Sequence, residues 1–258
     1  MRGDRSAQDQ TIQSRLLESP NFSIIGYTMR SHTRLDPDVA RIAALIGDPS
    51  RAAILLALSD GRALPAGELA RHASISPQTA SAHLDKLFRA HLLAVEIQGR
   101  HHYYRLRSPQ VAQLLESLSI VAPSAPAPAH SDSAKGLRFA RICYDHLAGK
   151  LGVAVTRALC DQCYMEDGEA GYTVTDKGRV WFRSLEIDID ELRASRRPLT
   201  RRCLDWSERR PHLAGGLGAA LAIRLVKLNW ITRASNGRVV HLTEKGERAL
   251  RAQLELNF

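Results

Sequence analysis

The sequence has no uninterrupted apolar run near the ~20 residues that a bilayer-spanning helix requires. Its first residues include acids and amides where a secretory signal would be apolar. We therefore expect a cytoplasmic protein with no membrane partner. Cysteine is scarce, and all four cysteines lie in the second half of the 258-residue chain. In a reducing compartment we expect them to be thiols or metal ligands rather than disulfides.

Catalytic motifs are also missing. The chain has no phosphate-binding glycine loop, no nucleophile elbow, no HExxH and no carboxylate pair in a setting that would suit catalysis. We therefore expect no enzymatic activity. Aromatic residues make up only 5% of the chain, but a hydrophobic content of 44% is ordinary for a globular protein, and the length suits two small domains.

The net charge of +9 favours an anionic partner. Between residues 36 and 122, nine basic side chains are nearly balanced by eight acidic ones. Within that range, however, residues 77–107 hold five basic side chains against two acidic ones. We expect this basic stretch to face phosphate.

Helical spacing of apolar residues begins near Asp36. Asp48-Pro49 and Ser76-Pro77 each combine an N-cap residue with proline at the first helical position, where its missing N–H is not needed. The second pair opens a helix that we expect to run to about His91. Its predicted buried residues are Ala80, Leu84, Leu87 and Phe88.

The outward faces of this helix are small and polar, which suits a helix that enters the major groove of DNA. The residues we expect to contact DNA are Gln78, Thr79, Ser81, Lys86 and Arg89. A β-hairpin with a basic tip at Gly99-Arg100 follows and is predicted to be a wing. The helix after Pro109 carries an apolar stripe that we interpret as a dimerisation surface, formed by Val111, Leu114, Leu115 and Leu118.

These segments resemble the ArsR/SmtB family of bacterial repressors. The resemblance is carried by DPSR at 48–51, ELA at 68–70, SPQTASAHLDKLFRAHLL at 76–93 and GRHHYYRL at 99–106. It implies a winged helix-turn-helix homodimer that binds double-stranded operator DNA and releases it when an inducer, often a metal ion, binds. By position in the motif it also implies that Gln78, Ser81 and His83 face DNA and that Arg100 is the wing-tip arginine.

The sequence departs from the family at both of its usual metal sites. The helix before the recognition helix, 68–73, has no cysteine, and the predicted dimer helix, 109–122, offers only Glu116. If this protein senses a metal, it must do so elsewhere in the chain. The chain resembles the long members of the family, which carry an added C-terminal domain and are linked to cadmium- and lead-type responses.

The second half of the chain is an internal duplication. Residues 146–154 (HLAGKLGVA) match 212–220 (HLAGGLGAA), and TDKG at 175–178 matches TEKG at 243–246, with offsets of 66 and 68 residues. Each copy is predicted to run helix, short strand pair, Thr-capped helix. The whole chain is thus predicted to be mainly α with small β-hairpins.

We expect four segments along the chain. Residues 1–34 have no sustained period and are predicted to be a mobile N-terminal extension, or an over-extended gene start. The remaining segments are the winged helix-turn-helix at 35–122, a Pro/Ala/Ser linker at 123–135, and a C-terminal effector or dimerisation domain at 136–258 with repeats at 143–185 and 203–250.

Both copies begin with Cys-x-Asp and carry a histidine shortly after it, so the ligands of a soft divalent metal could meet where the copies pack together. Cys143 and His146, three residues apart, would share one face of the predicted helix. The candidate ligands are Cys143, Asp145, His146, Cys203, Asp205 and His212, with Cys160 and Cys163 as further thiolates.

The same residues allow other interpretations. They could be structural, with a second domain that only dimerises or recruits a partner. An organic inducer could instead bind in an apolar pocket between the two copies. The basic loop at 196–202 is expected to be solvated or to add phosphate contacts.

Overall fold

The computed structural model describes residues 37–99, 101–123, 132–169, 171–234 and 237–257. The predicted N-terminal extension and most of the predicted linker lie outside these residues. Val39–Phe258 form one compact unit. Among the described residues, no helix combines the length and apolarity needed to cross a membrane.

The first half of the chain contains a helix-turn-helix and a β-hairpin. Its described elements are α1 (Val39–Ile46), α2 (Pro49–Ala57), β1 (Leu64–Pro65), α3 (Ala66–His72), α4 (Pro77–Arg89), β2 (Leu93–Gln98), β3 (His101–Leu106) and α5 (Pro109–Val121). The strands form one antiparallel sheet in the order β1-β3-β2. This arrangement is the winged helix-turn-helix that the sequence predicted.

Both predicted N-caps are present. The Asp48 carboxylate accepts a hydrogen bond from the Arg51 N–H at 2.9 Å, and the Ser76 hydroxyl accepts one from the Thr79 N–H at 3.2 Å. Each cap satisfies a backbone donor that the helix itself cannot. The apolar faces of α2 and α4 meet in a buried core, so α4 is fixed from one side only.

One prediction about the packing of this half was wrong. Phe88 was expected to be buried but is 44% exposed, because Leu84 and Leu87 already fill the core side of α4 and Phe88 lies beyond their edge. The helix before the recognition helix begins at Ala66, because Leu64 and Pro65 pair with β3 as a short strand.

The described residues of the second half form four β-hairpins. Its described elements are α6 (Asp132–Phe139), β4 (Arg141–Cys143), β5 (His146–Ala148), α7 (Gly149–Asp161), β6 (Met165–Gly168), β7 (Gly171–Val174), α8 (Asp176–Ser184), α9 (Ile189–Arg193), β8 (Arg201–Leu204), β9 (Pro211–Ala214), α10 (Gly215–Lys227), β10 (Ile231–Arg233), β11 (Val240–Leu242) and α11 (Glu244–Leu254). Each of the pairs β4–β5, β6–β7, β8–β9 and β10–β11 is antiparallel. Among the described residues the overall architecture is therefore mainly α with small hairpins.

The two copies follow the same order: hairpin, 13-residue helix, hairpin, Thr-capped helix. Thr175 and Thr243 accept equivalent hydrogen bonds from Gly178 and Gly246, at 2.9 and 3.0 Å. The predicted order within a copy was incomplete, because each copy opens with a hairpin and its first helix starts only at Gly149 or Gly215. The Cys-x-Asp segments are therefore strand and turn, not helix.

The two copies share one hydrophobic core, which includes Trp181 and Trp230. Trp206 is only half-buried, and the Arg141 guanidinium lies 4.5 Å from the centroid of its ring. Arg141 is fully buried and pairs with the fully buried Asp205 at 2.9 Å. This ion pair joins β4 of the first copy to the end of β8 in the second.

Gly246 is the third residue of α11, and its backbone lies directly against that of Trp230. A Cβ there would lie 2.0 Å from the Trp230 carbonyl oxygen, so Gly246→Ala must displace backbone. We expect its free energy of unfolding to fall by about 1–3 kcal/mol or more. Gly67→Ala in α3 is the control, since its Cβ would meet nothing within 4 Å, and it should be neutral or stabilising by up to about 1 kcal/mol. Urea denaturation measures both, and equal midpoints would contradict the close packing at Gly246.

Asp205→Asn should leave the Arg141 charge buried and uncompensated. We expect the free energy of unfolding at pH 7 to fall by about 3–5 kcal/mol. Asp161→Asn is the control, because the Asp161 side chain is 65% exposed in its pair with Arg157 and such pairs contribute little.

The free energy of unfolding that is lost in Asp205→Asn should also depend on pH. Burial works against ionised Asp205, but Arg141, the Ser207 hydroxyl and the Gly149 N–H outweigh it, so the pKa of Asp205 lies well below its usual value. Because the pKa of Asp205 is lower in the folded state than in the unfolded state, where it is about 3.9, ionised Asp205 adds to the free energy of unfolding above pH 3.9. That contribution is lost as the pH falls from the unfolded pKa to the folded pKa. Urea titrations at neutral and acidic pH should therefore show that the two free energies of unfolding approach each other in acid. A difference that stays constant with pH would contradict the lowered pKa of Asp205.

Candidate DNA interface and metal centre

The face of α4 opposite the core is open. Ala80, Leu84 and Leu87 are buried. The predicted DNA contacts Gln78, Thr79, Ser81, Lys86 and Arg89 are all exposed. The helix thus presents its polar face outward and its apolar face to the core, as expected of a helix that enters a groove.

The other two predicted DNA contacts differ from this group. His83 is half-buried, and its Nδ1 lies 3.4 Å from Nη1 of Arg51 on α2. Arg100, the predicted wing-tip arginine, lies outside the described residues.

Two of the exposed residues already have partners within α4. The Ser81 hydroxyl donates to the Pro77 carbonyl at 3.0 Å, and Arg89 donates to Asp85 at 2.9 Å. Both partners lie within one helical turn on an exposed surface, where such contacts are weak and exchange readily with another acceptor.

Four side chains of the second half converge on one buried point. Cys143 and His146 are opposite residues of the β4–β5 hairpin, and Cys203 and His212 are opposite residues of the β8–β9 hairpin. One ligand atom from each residue lies within 4.8 Å of the other three, and all four residues are buried. The Cys143 and Cys203 sulfurs are 3.9 Å apart.

The sequence predicted this meeting but gave the wrong local reason. Cys143 and His146 do not share a helical face. They face each other across a two-residue turn, Tyr144-Asp145, where antiparallel pairing places opposite side chains on the same side of the sheet.

The two predicted aspartates lie one layer outside these four residues. Asp145 Oδ1 is 3.1 Å from Nδ1 of His146, and Asp205 Oδ2 is 3.5 Å from Nδ1 of His212. Carboxylates in this position orient a metal-binding imidazole and raise its basicity. Asp145 and Asp205 are therefore better placed to orient the histidine ligands than to bind the metal themselves.

Each aspartate is held by an arginine that the sequence analysis had not assigned to the site. Arg197, from the loop expected to be solvated, binds both oxygens of Asp145, with its Nη1 2.5 Å from Oδ2, and Arg141 binds Asp205. A signal for Arg141 was available, because both copies read Arg-x-Cys-x-Asp, at 141–145 and 201–205.

Cys160 and Cys163 do not join the cluster. Cys160 is half-buried in the last turn of α7, and Cys163 is exposed just beyond it. Among the described residues, they are not part of the group that could share one ion.

The histidines of the cluster have unused ring nitrogens. Nε2 of His146 and both ring nitrogens of His212 are buried without a hydrogen-bond partner. A buried polar atom left in this way normally destabilises a fold by about 1–3 kcal/mol. A metal ion would accept the lone pair of each imidazole and remove that penalty.

The two thiols are electronically unequal. A hydrogen bond to Cys203, together with burial, raises the pKa of Cys143 to about 12. The same hydrogen bond lowers the pKa of Cys203, because it stabilises the Cys203 thiolate. Two sulfurs and two imidazoles form a Cys₂His₂ donor set, which is typical of tetrahedral zinc sites and of other thiophilic divalent ions.

Similar proteins support the winged helix-turn-helix in the first half of the chain. Residues 46–96 match the family model described as a helix-turn-helix domain. The HTH-type transcriptional regulator CmtR of Mycobacterium bovis is 35% identical over 80 residues, covering 31% of this chain and 67% of CmtR.

Two solved structures are also similar to part of the chain. The NMR structure of the cadmium metal-sensor CmtR from Mycobacterium tuberculosis shares 32% identity, covers 36% of this chain and 99% of its own, and has a TM-score of 0.29. NolR from Sinorhizobium fredii shares 28% identity over 33% of this chain and 85% of its own, with a TM-score of 0.31. At these TM-scores neither structure adds to the assignment.

A relative that matches most of the chain decides the family. The uncharacterized HTH-type transcriptional regulator YdfF of Bacillus subtilis (strain 168) is 44% identical over 226 residues, which cover 87% of this chain and all of YdfF. The similarity therefore extends through both the winged helix-turn-helix and the half that holds the four buried ligands. The chain belongs to the HTH-type transcriptional regulators.

Proposed function

We propose that this regulator is a repressor that binds operator DNA as a homodimer and releases it when a soft divalent metal ion binds in the second half of the chain. The observation that carries the metal-sensing part is the buried Cys143, His146, Cys203 and His212 cluster with its unpartnered ring nitrogens. The open polar face of α4 carries the DNA-binding part.

Base recognition is assigned to the N-terminal turns of α4. Gln78 and Ser81 are exposed there, and amide side chains recognise adenine through paired hydrogen bonds. Lys86 and Arg89 lie further along the helix, where they are suited to contact phosphate. We propose that Arg100, on the wing, contacts the DNA phosphates. His83 and Thr79 are proposed to contact DNA at the edge of the major groove.

Self-association is assigned to α5. Leu114 and Leu118 of the predicted stripe are 38% and 40% exposed, and Val121 at the end of the helix is 78% exposed, whereas Leu115, also predicted to lie on that surface, is 4% exposed and packs in the core of its own half. An apolar stripe of this kind on a DNA-binding domain suits a twofold dimer, which would place two copies of α4 in successive major grooves.

We also propose that the two halves are distinct domains, at 35–122 and 136–258, the second being the effector domain. Support comes from their separate hydrophobic cores.

The metal would be held by both copies of the C-terminal domain: Cys143 and His146 from the first copy, and Cys203 and His212 from the second. Tetrahedral zinc ligands lie about 3.3–3.8 Å apart, given Zn–N and Zn–S bonds of about 2.0–2.3 Å. The four atoms, within 4.8 Å of one another, need to move inward by about an ångström or less. When bound, the ion supplies a strong bond between the two copies that their packing alone does not provide.

A single ion suits this interior better than an organic inducer does. The interior around the four candidate ligands is filled by hydrophobic core. A cavity of about 630 Å³ does lie between the two copies, but it is away from the cluster and its lining includes six charged side chains: Lys150, Arg157, Asp161, Glu208, Arg210 and Glu255. A C-terminal domain that only dimerised would leave the buried imidazoles unexplained.

The DNA assignment predicts different results for two α4 variants, tested on a duplex selected from a random-sequence library by the wild-type protein. Gln78→Ala should weaken binding to this duplex by about 1–3 kcal/mol per base pair read and barely change binding to random DNA. Lys86→Ala should weaken both and lower the slope of log affinity against log salt by about 1 per phosphate contact.

Lys227→Ala, exposed at the end of α10, is the control and should change neither affinity. Fluorescence anisotropy measures the affinities. Equal losses on both duplexes for Gln78→Ala would refute base recognition by that residue.

The metal assignment predicts one cadmium or zinc ion per chain after reconstitution and dialysis. Cys143→Ser and Cys203→Ser should each lose the ion and metal-induced DNA release, because a hydroxyl is a poor ligand for a soft ion. Cys163→Ser should retain both, because Cys163 is exposed outside the cluster. Elemental analysis and the thiolate-to-cadmium absorption band measure occupancy. A metal-free wild type, or normal induction in both cluster variants, would overturn metal sensing.

A further inference from the structure

We infer that the metal signal enters the DNA-binding half through the turn of the β4–β5 hairpin, with Tyr144 as the coupling residue. This inference rests on the proposed metal-sensing function and assigns its route. The turn, Tyr144-Asp145, lies directly between the two ligands Cys143 and His146, so any movement of those ligands moves the turn as well.

Tyr144 belongs to the second half by sequence and to the first half by contact. Its side chain packs against the hydrophobic core of the winged helix-turn-helix. Its N–H donates a hydrogen bond to the Ser59 carbonyl at 2.6 Å. Its backbone is left-handed, with φ +60°, which is unfavourable for a tyrosine and is maintained by the contacts around it.

The segment that receives Tyr144 is a tight, buried turn. Ser59 and Asp60 are 2% and 3% exposed, and Gly61 has φ +76°. A Cβ on Gly61 would lie 2.5 Å from the Tyr144 carbonyl oxygen, so the two backbones touch. Two backbones in van der Waals contact cannot move closer together. A shift of the β4–β5 hairpin toward the turn at 59–61 must therefore displace that turn, and a shift away must break the contact.

The receiving turn leads directly to the recognition helix. It follows the C-terminal end of α2, whose Ile54 and Leu55 share a buried core with Leu84 of α4. At the other end of α2, Arg51 lies 3.4 Å from His83 of α4. A displacement of α2 would therefore change the position of α4 along its length, and with it the fit to the groove.

The equivalent residue of the second hairpin does not have this role. Leu204 follows Cys203 as Tyr144 follows Cys143, but it is 40% exposed. The second hairpin reaches the first half instead through Arg209, which donates to the Ile120 carbonyl at the end of α5. Leu204 therefore provides a matched control for Tyr144.

The test compares wild type, Tyr144→Gly, Tyr144→Phe and Leu204→Ala in the full-length chain. Glycine removes the packing but accepts the left-handed backbone, so the hairpin and its ligands should be retained. Phenylalanine keeps the packing. Cadmium affinity is measured by chelator competition, and affinity for the selected duplex by anisotropy with and without cadmium.

In the wild type we expect cadmium to weaken duplex binding by about 5- to 150-fold, the usual range for coupled sites. In Tyr144→Gly this ratio should fall several-fold toward one, because the side-chain packing is lost while the backbone hydrogen bond to Ser59 is kept, and cadmium should still bind one per chain. Tyr144→Phe and Leu204→Ala should keep the wild-type ratio.

The possible failures are distinguishable. A wild type that binds no cadmium, or binds it without any change in DNA affinity, would overturn the proposed sensing function. A wild-type ratio that survives in Tyr144→Gly would overturn the coupling route alone. Loss of cadmium binding in Tyr144→Gly, with the circular dichroism spectrum intact, would also overturn it, because Tyr144 would then be part of the metal site's support.

Discussion

The structure of the second half depends on two β-hairpins meeting face to face. Arg141 on one hairpin and Asp205 on the other are fully buried and paired at 2.9 Å, and this contact fixes how the copies are aligned. Taking two charges out of water is strongly unfavourable, so the pair specifies the arrangement more than it stabilises the fold. Once the hairpins are aligned, Cys143 and His146 of one necessarily lie against Cys203 and His212 of the other.

The same alignment creates the polar surroundings of the cluster. Asp205 accepts from Arg141, from Ser207 and from the N–H of Gly149 at the start of α7, which leaves one of its oxygens 3.5 Å from His212. Asp145 is held similarly by Arg197. The His146 imidazole is thus hydrogen-bonded to Asp145 on the side away from the cluster, and Asp205 lies 3.5 Å from His212 without a hydrogen bond, while Nε2 of His146 and both ring nitrogens of His212 have no hydrogen-bond partner. This imbalance favours an ion site over a purely structural cluster.

The two halves are connected by polar contacts as well as by Tyr144. The buried pair of Glu116 on α5 and Arg238, at 2.9 Å, links the predicted dimer helix to the second half, and Arg238 also donates to the Ile142 carbonyl of β4. Elements that would contact DNA, a second subunit and a metal are therefore in direct physical contact. A regulator needs such connections, because a ligand changes DNA affinity only by favouring one arrangement of the binding helix over another.

The sequence by itself determined the winged helix-turn-helix and the polar face of α4, because N-caps, prolines and apolar periodicity are local signals, and it showed the repeated segments of the second half directly. It also identified every residue of the cluster. Only the tertiary structure decided that these residues meet across hairpins, that the aspartates stand behind the histidines, and that Arg141, Arg197 and Tyr144 take part. Those contacts join residues far apart in the chain, and their geometry depends on packing that no local pattern encodes.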